Sequence, residues 1–293
     1  MANTVDTLLK EQRLFTPFKK FQSKANIQDP SIYEKARKNP LAFWDEWAHK
    51  LEWFKKWVKT LDWSHPPFAK WFVSGKLNAS YNCLDRHIKT GQGDKLAFIW
   101  QGEPDEGKQL TYNDVYNEVN RLANVIKSLG IKKGDRVAIY LPMIPEAVYA
   151  MLACARIGAI HTVVFGGFSA DSLKERINDA QAKLLITADG GYRRGKIVSL
   201  KETSDKAVEG CPSIQNILVV KRTGESIPFK QSRDRWYHEL MPKADKFCEP
   251  EPMDSEDILF ILYTSGTTGK PKGIIHTTGG YMKIGRASCR ERV

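Results

Sequence analysis

The residues best equipped for chemistry run from Tyr263 to Gly273, YTSGTTGKPKG. Thr264, Ser265, Thr267 and Thr268 supply hydroxyls, Gly266, Gly269 and Gly273 leave the backbone open, and Lys270 and Lys272 supply charge. Glycines let backbone N–H groups approach an anion, hydroxyls donate to its oxygens and ammonium groups neutralise it, so the string describes a polyphosphate cradle. It is not the Walker loop. The GxxxxGK[ST] spacing is absent, and Pro271 disfavours helical geometry at Lys270.

A second cluster, Gly191-Tyr192-Arg193-Arg194-Gly195-Lys196, places three cations within four residues just after an apolar run, where a parallel sheet exposes its ligand loops. A solvated basic turn is the alternative. Phe165-Gly166-Gly167-Phe168 also ends an apolar run, and chain reversal alone would account for its glycines. His161, His238 and His276 lack partners at a spacing that suggests a dyad, and Asp135 and Asp179 read as loop and helix-end residues.

Alternating strands and helices must position these loops. Strands are expected at 96–100, 135–141, 160–165, 183–187, 216–220 and 258–264, the last as a buried strand. Helices are expected at 110–130, 145–158, 170–181 and near 196–209. Val115, Val119, Leu122, Ile126 and Leu129 share one face of the first; Thr111 with Asp114 forms a capping box, and Gly130 ends it. Single helices between strands imply parallel pairing through right-handed crossovers, hence a layered α/β fold with a mostly parallel sheet. Residues 221–257 read as a polar surface excursion. Residues 1–90 form a helical, aromatic-rich lead-in carrying six of the eight tryptophans. In it Phe43, Trp47, Leu51 and Phe54 draw one stripe on a helix from about 41 to 58, opened by Asn39-Pro40.

The 293 residues are 42% hydrophobic and 27% charged, which excludes intrinsic disorder and supplies a large core. No run approaches the ~20 apolar residues of a spanning helix, and the first residues lack a signal-peptide core, so a cytoplasmic protein without membrane partners is expected. Five scattered cysteines suggest neither disulfides nor a metal site. The formal charge of +11 is spread along the chain, which favours a local anion site over a nucleic-acid partner.

YTSGTTGKPKG resembles the signature phosphate loop of the adenylate-forming superfamily, which includes acyl-CoA synthetases, luciferases and peptide-synthetase adenylation domains. With HTTGGY (276–281), SIYEKARKNPLAFWDEWA, the run 141–177 and ITADGGYRRGK (186–196), the chain is similar to the AMP-forming acetyl-CoA synthetases over residues 30–283. The resemblance implies a ligase reaction in which a carboxylate attacks the α-phosphate of Mg-ATP and CoA thiolate then displaces AMP. It implies that Thr264, Ser265, Gly266, Thr267, Thr268, Gly269, Lys270 and Lys272 hold ATP phosphates. It further implies that Arg193, Arg194, Gly195 and Lys196 meet the 3′-phosphate of CoA, and that Phe165, Gly166 and Gly167 face its adenine. Lys196 stands where many relatives carry Arg, keeping charge but losing the bidentate fork. Residues 91–283 would be the first part of the AMP-binding domain; the adenine and ribose ligands, the hinge and the catalytic lysine would lie beyond. Within this chain no catalytic or metal-ligating residue is therefore assigned. Acetate, propionate or another short acid remain open as substrates, as does a nucleotide- or nucleic-acid-binding module without ligase activity.

The last ten residues, IGRASCRERV (284–293), lack helical or strand periodicity and resemble the conceptual translation of a short-read sequencing adapter. On that expectation the natural sequence is cut between Tyr281 and Lys283. Without the ten residues, three arginines and one glutamate are lost and the formal charge falls from +11 to +9.

Overall fold

The computed structural model describes residues 14–25, 27–264 and 270–283. Its strands in chain order are β1 (Lys59–His65), β2 (Phe68–Val73), β3 (Lys76–Leu77), β4 (Leu96–Gln101), β5 (Gly107–Thr111), β6 (Arg136–Tyr140), β7 (Ile160–Val163) and β8 (Leu184–Ala188). There follow β9 (Gly191–Arg193), β10 (Lys196–Val198), β11 (Asn216–Val220), β12 (Asp234–Trp236), β13 (Met253–Asp254), β14 (Ile258–Thr264) and β15 (Lys272–Thr277).

Seven strands form the main sheet in the order β12-β11-β8-β6-β7-β14-β15, parallel throughout except for the antiparallel β14–β15 pair. The chain steps one way from β6 to β7, then returns past β6 to β8 and onward. With right-handed crossovers, that reversal sends the helices to opposite faces. Helix Pro145–Arg156 accordingly packs with Tyr112–Ser128, and helix Ala170–Ala180 with Leu200–Val208. The core lies between these layers: β8 is buried along its whole length, and Val115, Val119, Leu122 and Ile126 face it from Tyr112–Ser128. The predicted capping box is present, with the Thr111 hydroxyl accepting from the Asp114 N–H and the Asp114 carboxylate accepting from the Thr111 N–H.

Several sequence expectations need correction. The lead-in helix does not run to 58. It spans Pro40–Ala48, where the Trp53 indole N–H donates to the Ala48 carbonyl at 2.9 Å and turns the chain away. The segment beyond it enters an antiparallel β1–β2 hairpin, so the lead-in mixes helix with strand. Leu110 and Thr111 are not helical; they close a β4–β5 hairpin outside the main sheet. The fourth expected helix starts only at Leu200, because 196–198 is β10. The polar stretch 221–257 is more than an excursion: β12 extends the sheet, its buried Asp234 paired with Lys201 at 2.9 Å and Arg233 at 2.7 Å. On β14 only Leu259 is buried, since its neighbour β15 forms the open edge.

The lead-in is stapled to the stretch before β14. Ser255 donates to the Phe72 carbonyl at 2.9 Å, and Glu256 accepts from the Trp71 N–H at 2.7 Å. Gly279 approaches Ser255 so closely that an added Cβ would lie 2.8 Å from the serine Cβ, which gives the glycine of HTTGGY a packing role. Among the described residues no disulfide joins the four cysteines, and no helix is long and apolar enough to cross a membrane.

Candidate functional site

The parallel strands share a direction, so the loops after β6, β7, β8 and β14 open at one edge of the sheet, where ligands of such folds bind. Gly191 sits at the switch between β6 and β8. A Cβ there would lie 3.0 Å from the Pro142 ring, so glycine is what lets these two loops meet.

Residues 191–198 form the β9–β10 hairpin, with Arg194 (φ 55°) and Gly195 (φ 72°) both left-handed in a two-residue turn. Arg193, Arg194, Gly195 and Lys196 are all exposed, and no ion pair to the three cations occurs among the described residues. The Gly195 N–H donates to the Glu103 carboxylate at 2.6 Å. The Arg193 guanidinium lies over the Phe165 ring, 5.5 Å from its centroid, and a Cβ on Gly167 would come within 2.5 Å of Arg193 Nη1. The cation cluster and the 165–168 loop therefore form one surface, and Gly167 leaves the space in which the guanidinium lies.

Two features brace the hairpin. The buried Asp189 carboxylate accepts from the backbone N–H groups of Gly190, Arg222, Thr223 and Gly224 at 2.7–3.2 Å, tying the end of β8 to that of β11. Arg222 lies between Trp100 and Tyr192, 5.2 and 5.0 Å from their ring centroids, and pairs with both oxygens of Glu106 at 2.7 and 2.9 Å. That pairing holds the Glu106 carboxyl below its usual range and raises the arginine.

The string from Tyr263 to Gly273 begins on β14 and ends on β15, and the end of β14 lies at the same edge. Thr264 stands opposite Lys272 in register, and Thr264, Lys270 and Lys272 are exposed. Ser265, Gly266, Thr267, Thr268 and Gly269 lie outside the described residues. Arg176 links this end to the other loops. Its guanidinium lies 4.6 Å from the Phe168 centroid and 5.7 Å from that of Tyr263, while Nη1 donates to the Ser172 carbonyl. The Tyr263 hydroxyl donates to Asp179 at the end of the same helix; burial first, then this bond, pushes the phenol's pKa upward. Tyr140 completes the support by donating to the Phe168 carbonyl at 2.8 Å.

Sequence reasoning missed Glu103, Arg176 and Asp189. Arg176 left a readable signal, because it shares the i, i+3, i+4, i+7 face of Leu173, Ile177 and Ala180, where a charge demands a partner. The three histidines stay apart from this edge's charges. His161 is buried against Phe260, His276 stacks on the same ring at 4.5 Å, and His238 tilts against Trp236. No cluster of three or more His, Cys, Asp or Glu able to hold a metal occurs among the described residues.

The open-edged parallel sheet with glycine- and cation-bearing loops belongs to an AMP-binding enzyme. The family model of that description matches residues 84–292, and the chain belongs to this family. The model of the acetyl-coenzyme A synthetase N-terminus matches residues 30–83. Among curated relatives, an acetyl-coenzyme A synthetase of Rubrobacter xylanophilus is 57% identical over 271 residues, 92% of this chain and 42% of that protein. Proteins of the same name from Gemmatimonas aurantiaca and Streptomyces avermitilis are 54% and 55% identical over 95% and 96% of the chain, each covered to 43%. The chain thus spans less than half the length of these relatives.

Proposed function

We propose that this chain is the N-terminal part of an AMP-forming acetate–CoA ligase. The reading is supported most by one observation: hydroxyl-, glycine- and cation-rich loops after β7, β8 and β14 share one sheet edge, in a chain 57% identical to an acetyl-coenzyme A synthetase. In the first half-reaction the acetate carboxylate attacks the α-phosphate of ATP and pyrophosphate leaves. In the second, CoA thiolate attacks the acetyl carbonyl and AMP leaves. Thr264, Lys270 and Lys272, with Ser265 to Gly269 between them, would hold the β- and γ-phosphates, a task of positioning and charge stabilisation. Mg2+ carried on those phosphates would neutralise part of their charge. Arg193, Arg194 and Lys196 would take the 3′-phosphate of CoA, with Phe165, Gly166 and Gly167 beneath its adenine.

The test joins residues 30–283 to the remainder of the Rubrobacter relative and follows pyrophosphate release and thioester formation with acetate and with propionate. Lys272→Ala should raise KM for ATP and slow adenylation. Arg193→Ala should raise KM for CoA while leaving acetate-dependent ATP–pyrophosphate exchange intact. Unchanged constants in both variants would remove these assignments, and a preference for propionate would move the substrate.

A further inference from the structure

The carboxylate of Glu103 occupies the tip of the cationic hairpin, bonded to the Gly195 N–H between Arg194 and Lys196. A brace would be one explanation, yet bracing is already provided. From the same β4–β5 turn, Glu106 grips Arg222, which lies against Tyr192 at the root of the hairpin, and Asp189 fixes the backbone below. Glu103 differs from Glu106 in three respects. It is exposed, it makes one bond to a backbone N–H, and it faces a turn whose cations have no other acid among the described residues. The preceding Gly102 and the left-handed Asp105 (φ 59°) shape the short turn that carries it there.

We propose that Glu103 is an internal competitor for the anion site of the 191–196 hairpin: its carboxylate takes the Gly195 N–H until a phosphate monoester displaces it. The inference rests on the reading of this hairpin as a phosphate site and assigns it a specificity-tuning residue. An incoming dianion must beat one exposed carboxylate, which disfavours weak monoanions and sets affinity for phosphate below what three cations and a free N–H would give. The carboxylate then swings into solvent. Because the bond is exposed and screened, its effect is modest, about two- to fivefold in affinity.

Competition and bracing predict opposite signs. Glu103→Gln and Glu103→Ala are made in this chain, and the Gly195 amide resonance is followed while inorganic phosphate, then adenosine 3′,5′-bisphosphate, is added at constant ionic strength. The expected result is two- to fivefold tighter binding in both variants than in the parent, abolished when Arg193→Ala is added, with little change in Tm. Weaker or unchanged binding, or a Gly195 amide that ignores both anions in Glu103→Gln, overturns the proposal. Should Glu103→Ala fail to fold, Glu103→Gln, which keeps the side-chain length, decides alone. Tighter binding of phosphate without any preference for the adenosine bisphosphate would sustain the competitor role while counting against the CoA reading.

Discussion

The two ends of the main sheet are built differently. From β11 through β8 to β6 nearly every residue is buried between helices on both faces, whereas on β14 and β15 Leu262, Ile274 and Ile275 are 46–56% exposed. The loops they carry differ in the same way. The 191–196 hairpin rises from the buried half and is held by a nest of four backbone N–H groups and a stacked arginine. Thr264 and Lys272 rest on the β14–β15 pairing, on Arg176 and on the Tyr263–Asp179 hydrogen bond. The hairpin is therefore held by the core beneath it, while the β14–β15 pair is held by a few side chains at its base.

Core truncation should separate the halves most. Leu185→Ala in β8 should cost about 2–5 kcal/mol in urea unfolding, against less than ~1 kcal/mol for Leu262→Ala, because only the first opens a cavity. Equal losses would abolish the distinction.

His161, on β7 where the halves meet, supplies the next effect. Burial holds its imidazole down at about 4, against an ordinary 6.5, and its Nδ1 has no hydrogen-bond partner. The folded state thus binds fewer protons than the unfolded state between these values. Stability should be full above pH 6.5 and fall by on the order of 3 kcal/mol as pH drops toward 4. His161→Phe should flatten that part of the acid profile.

Asp189→Asn should cost about 2 kcal/mol, since an amide nitrogen would face backbone donors in a buried site, and should speed hydrogen exchange at Gly190 and Gly224. The smallest effect belongs to the β14–β15 pair. Arg176→Lys removes a planar cation from the Phe168 and Tyr263 rings and should cost about 1 kcal/mol, seen as faster exchange in β14 with β8 unaffected.

The sequence by itself determined the parallel α/β order, the helix caps and the places where hydroxyls, glycines and cations crowd together. Each of these is local: a 3.6-residue apolar period, a Thr-Asp box, or hydroxyls and glycines crowded into a few residues. Tertiary structure decided what distant residues share. It ended the aromatic helix at Ala48 because Trp53 captures its last carbonyl, drew β12 out of a polar stretch because Lys201 and Arg233 neutralise Asp234, and set Glu103 against a turn 92 residues away. These outcomes depend on charges and carbonyls finding partners across the fold, and a buried polar group is stable only where the whole chain brings one.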